Sequence, residues 1–135
     1  MSVTLTDQDK ITLRTAAYGA VSLLAAAGVT GSPHKVATEG SIALASATGL
    51  VGHVLAEKST GMDLSGRSVA ELADRVLPAL AASVNLLRRQ APAEADNFRS
   101  TVLVAVEAAA RAQKGEPGPI MADMTRKITE ALDAA

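Results

Sequence analysis

Apolar residues return along this chain at helical spacing, in five stretches separated by turn residues. In the first, from about Asp7 to Ala27, Ile11, Tyr18, Val21 and Leu24 or Ala25 share one side. Thr6 stands as N-cap, and Asp7 and Asp9 suit the positive end of the helix dipole. The second runs from about Pro33 to Lys58. Its apolar line is Val36, Gly40, Leu44, Ala47, Val51, Val54 and Leu55, beside a row of small residues. Glycine inside a helix costs about 0.5–1 kcal/mol relative to alanine. Gly40, Gly49 and Gly52 therefore predict that another backbone approaches here, and that this helix is central.

The third stretch opens on Ser68-Val-Ala-Glu71, which has capping-box spacing, and carries Val69, Leu72, Val76, Leu80, Val84 and Leu87 to Gln90. Pro78 falls inside it and predicts a kink or a split, because proline removes the bond to the Asp74 carbonyl. The fourth begins at Pro92, with Glu94 and Asp96 in its first turn, and ends near Lys114 before Gly115. The fifth, Ile120 to about Ala134, aligns Met121, Met124, Ile128 and Leu132. Long helices with short connections predict one all-α domain over residues 1–135. The expected arrangement is an antiparallel up-and-down four-helix bundle with an additional C-terminal helix.

Composition sharpens this. Alanine occurs 28 times, against one Tyr (Tyr18), one Phe (Phe98) and no Trp. Alanine is the best helix former, and strands find no support in alternating β-branched runs. So few large side chains cover apolar faces poorly, which makes a homodimer the natural expectation. Thirteen Lys and Arg against fourteen Asp and Glu leave a net charge of −1 and no basic stripe for nucleic acid. With no cysteine, disulfides, thiolate nucleophiles and Cys-ligated metals are excluded, and a cytoplasmic location is expected. The apolar run at 15–29 lacks the basic flank of a signal peptide, since Asp7 and Asp9 precede it. Residues 36–56 are too interrupted by polar residues for a membrane span.

One stretch, Gly28-Val-Thr-Gly-Ser-Pro-His-Lys35, invites a chemical reading. It is no Walker A loop, because Gly31 is followed by Ser32 and Lys35 by Val36, and a helix precedes it. It remains a generic anion site at a helix N-terminus, with Ser32 as cap and His34 and Lys35 beside free amides; the plain alternative is an ordinary Ser-Pro helix start. Glu39 is the most isolated charge on its helix. Buried, it would be a candidate general base; near the surface it is a solvated or paired carboxylate. His53 and Glu57 share a face at i, i+4, but one such pair is too few for a metal. No metal or cofactor is expected. Two histidines support no hydrolase triad, so an enzyme ranks third, behind an interaction protein and a ligand-binding bundle. The expected function is protein–protein interaction, including self-association. The alternative is a bundle that binds a small molecule, either between helices beside the three glycines or, where the ligand is anionic, near His34 and Lys35.

Overall fold

The computed structural model describes residues 5–27, 33–57, 68–112 and 118–134, without the side chains of Pro33 and His34. Six helices and no strand lie within these residues: α1 (Asp7–Ala27), α2 (Pro33–Ala45), α3 (Gly49–Ala56), α4 (Val69–Gln90), α5 (Pro92–Ala112) and α6 (Pro119–Asp133). The local start signals work as their chemistry requires. The Asp9 amide donates to Thr6 Oγ1 at 3.0 Å, and the Thr6 amide donates to the Asp9 carboxylate at 3.1 Å. Ser68 Oγ accepts from the Glu71 amide at 3.2 Å and donates to Glu71 Oε1 at 3.1 Å, so Ser68 caps α4. Helix α4 is not split at Pro78 but runs through it to Gln90.

The expected single helix from Pro33 to Lys58 is instead two, α2 and α3; Lys58 lies outside the described residues. Helix α2 tightens at its end, where the Ala47 amide donates to the Leu44 carbonyl at 3.1 Å in an i→i+3 bond. Thr48 is extended and its side chain does not cap α3. That task falls to α5: Glu94 Oε1 accepts from the Leu50 amide at 2.5 Å, and Asn97 Nδ2 donates to the Thr48 carbonyl at 2.9 Å. Gly49 makes the turn at φ 73°, and a Cβ there would strike the Glu94 carboxylate. Gly49→Ala is expected to lower unfolding free energy by about 1–2 kcal/mol, read from urea midpoints; an unchanged midpoint would show the turn free to relax.

The central helix is α1, not the second stretch. It packs against all five other helices, and from Leu13 to Ala27 only Tyr18, Ser22 and Ala26 keep appreciable exposure. The predicted stripe was too narrow: Ile11 and Tyr18 are half-buried, while Leu13, Leu23 and a run of alanines are covered. Small residues let the neighbours close in. A Cβ on Gly19 would overlap Val76 of α4, and one on Gly40 of α2 would overlap Val21 of α1. Around this axis α2 lies on α5, α4 on α5, and α6 against α4. Met121, Met124, Ile128 and Leu132 bury the apolar side of α6. No helix among the described residues is long and apolar enough to cross a membrane.

Candidate functional site

Of the residues singled out near the start of α2, Ser32 and the His34 side chain lie outside the described portion. Lys35 and Glu39 are exposed on the first turns of α2. They meet Ala108, Arg111 and Ala112 of α5 around an open groove of about 290 Å³. Arg111 was not legible as their neighbour, because it is 76 positions away in sequence from Lys35 and joins it only through the packing of α2 on α5. Glu39 lacks the burial that a carboxylate base of this kind needs.

The three glycines do not open an interior space for a ligand. Val21 fills the position beside Gly40, the Glu94 carboxylate that beside Gly49, and the Ala47 carbonyl that beside Gly52.

A charged cluster forms elsewhere. Lys10, Arg14 and Tyr18 repeat every four residues on α1 and receive the C-terminal end of α3. Arg14 is 4% exposed; its guanidinium lies 3.5 Å from the Val54 carbonyl oxygen and 3.3 Å from Glu57 Oε2. The Tyr18 hydroxyl donates to the Leu55 carbonyl at 2.9 Å. Cations suit a helix C-terminus, where carbonyls lack intrahelical partners. Lys10 and His53 also approach Glu57 Oε1, each at 3.4 Å. Nε of Arg14 is buried and makes no hydrogen bond. Burial pushes the Tyr18 phenol pKa up against the pull of Arg14. Partial burial acts to raise the Glu57 pKa too, but Lys10, His53 and Arg14 outweigh it and hold the carboxyl below its ordinary value near 4.5.

The sign for stability follows from that depression. The Glu57 contribution is complete above the unfolded value and is lost as pH falls through the lower folded one. Asp123, held down by Arg126 and Lys127, and Asp133, held down by Arg99, act in the same direction. Urea midpoints should therefore decline below about pH 4.5, and Glu57→Gln should flatten part of that decline. A variant with the parental slope would show that Glu57 carries none of it. Chemically the cluster ties α1 to the end of α3: Lys10 and Arg14 meet the Glu57 carboxylate, and Arg14 and Tyr18 meet the last carbonyls of α3. No group of three His, Cys, Asp or Glu that could hold a metal occurs among the described residues.

Another feature is a surface. The outward ridge of α2 exposes Thr38, Ile42, Ala45 and Ser46, with Ile42 56% exposed. A groove of about 500 Å³ runs along one flank, between the ridge and Tyr18. One of about 230 Å³ runs along the other, toward Asn97, Ser100 and Val104 of α5. Val104 is itself 52% exposed. Among the described residues, neither groove is lined by a charged one. The cause is plain in the sequence, which has no charge from Gly40 to Gly52 or from Ser100 to Val106. Helices α2 and α5 bury only one side of each run.

No family model matches this chain, and comparison with curated proteins and with solved structures finds no match either.

Proposed function

We propose that this chain is a non-enzymatic helical protein that works through protein–protein contact, self-association included, and that the face built by α2 and α5 is its contact surface. The observation that carries this is the pair of uncharged grooves flanking an exposed isoleucine. Depletion of charge at the centre of a surface patch is the compositional mark of an interface. The scaffold is read as a four-helix bundle of α1, α2 with its continuation α3, α4 and α5, with α6 added. The expected up-and-down order does not fit the packing: residues late in α2 meet residues early in α5 and the reverse, so these two run antiparallel, and Gly19 beside Val76 with Thr12 beside Ser83 sets α1 antiparallel to α4, whereas an up-and-down order would run each of these pairs parallel. The absence of cysteine fits work in the cytoplasm.

Sedimentation equilibrium tests the proposal. The expected result is a species of twice the 13.7 kDa chain mass at micromolar concentration, converted to monomer by Ile42→Glu with helicity unchanged. A chain that stays monomeric at every concentration, with no added protein mass, would overturn self-association.

A second reading, a bundle that binds a small anion, has one observation in its favour, the convergence of Lys35 and Arg111 on one groove. Native mass spectrometry would show a reproducible added mass that Lys35→Ala removes.

A further inference from the structure

We infer that Arg14 and Glu57 make α3 an acid-released strap, its end closed over α1 while Glu57 is ionised and lifted when Glu57 is protonated. Arg14 carries its charge inside the fold: it is 4% exposed, and its Nε is buried without a hydrogen-bond partner. Among the described residues Glu57 is the one carboxylate it meets, at 3.3 Å, and the Val54 carbonyl adds a longer contact at 3.5 Å. Glu57 itself is open to protons, with 31% of its side chain exposed. The pair is therefore unequal. Arginine keeps its charge at any pH the fold meets, and a glutamate does not.

Protonating Glu57 leaves a buried cation without its counter-charge, which costs far more than losing a surface pair. That charge reaches water in one of two ways, by unfolding the whole domain or by moving what covers it. What covers it is the end of α3, through Val54 and Glu57. Helix α3 has eight residues and sets only Val51, Val54 and Leu55 as side chains in the core, so lifting it is the smaller loss. Facing the Glu57 carboxylate are Lys10 and Arg14 of α1 and His53 of α3 itself, while Tyr18 holds the nearby Leu55 carbonyl. The charged group that α5 sets against α3 is Glu94, which caps its opposite end. In acid, Lys10, Arg14 and protonated His53 crowd a neutral carboxyl, and their repulsion drives the same movement.

The chain supplies its own reporter. It has one tyrosine and no tryptophan, and the Tyr18 hydroxyl donates to Leu55, so tyrosine emission changes when α3 leaves. On acid titration this signal should change about half a pH unit or more above the loss of helix seen by circular dichroism. At neutral pH, Glu57→Gln isolates this carboxylate from every other acid. It should already show the released emission and at least about tenfold faster amide exchange over residues 49–57, with the other helices still protected. Adding Arg14→Met removes the charge that must reach water and should close the strap again. Coincident tyrosine and helix transitions overturn the inference, as does a Glu57→Gln protein whose α3 exchanges at the parental rate. Release that persists in the double variant overturns it too, because the buried charge would then not be the cause. Should Glu57→Gln unfold outright, the titration of the parent chain decides alone.

Discussion

Phe98→Ala is expected to lower the unfolding free energy by about 3–5 kcal/mol, the largest single effect of any substitution considered. Phe98 is fully buried on α5, facing a core otherwise made of valine, leucine, methionine, isoleucine and alanine. It is the only phenylalanine in the chain. The buried core holds ten leucines, which can lean into a new void, and eight alanines, which have no side-chain torsion with which to follow a retreating wall. The cavity should close only in part, which keeps the cost within that range. Urea denaturation of the parent and of Phe98→Ala and Phe98→Leu checks this. Phe98→Leu should recover more than half of the loss. Equal midpoints for parent and Phe98→Ala would mean that the core is not closed around this ring.

The second large effect has the opposite sign. Pro78→Ala is expected to stabilise the protein by about 2–3 kcal/mol. Pro78 is exposed in the middle of α4, at a position where its ring packs into nothing essential. The substitution returns an amide donor to the Asp74 carbonyl and relieves the clash of the ring with that turn. Part of the gain is offset because alanine leaves the unfolded chain freer than proline does. Thermal melting with circular dichroism reads the result. A lower melting temperature would show that the bend imposed by Pro78 is what lets Gly19 and Val76 nest together.

Where a boundary depends on neighbours in sequence, it was readable. Ser68 and Glu71 announce α4, Thr6 and Asp9 announce α1, and Pro92 follows Ala91 into α5 with no linker to interpret. The break between α2 and α3 was not, because its apolar line continues through Ala47 to Val51 and no proline interrupts it. What stabilises the stop is the carboxylate of Glu94 and the amide of Asn97, brought from another helix. Arg14 was not singled out, for a related reason. A basic residue four positions from Lys10 and four from Tyr18 reads as a solvated edge, and only the end of α3 turns that edge into an interior. The candidate loop at 28–35 yielded least: Ser32 and the His34 side chain lie outside the described residues, and Lys35 gains significance only through Arg111. The α2 face was half legible. Its lack of charge was visible, but which side of each helix stays uncovered is a property of the packing.

The burial of α1 bears on how the chain is made. It leaves the ribosome before every other helix of this fold, yet it is the one that none of them can do without. Its alanines and leucines must wait for α4, α5 and finally α6 before they are shielded, so a nascent chain carries a sticky, helix-prone segment through most of its synthesis. Native structure should therefore arrive late and all at once, and a chain stopped short of α6 would be substrate for a chaperone rather than a smaller version of the protein.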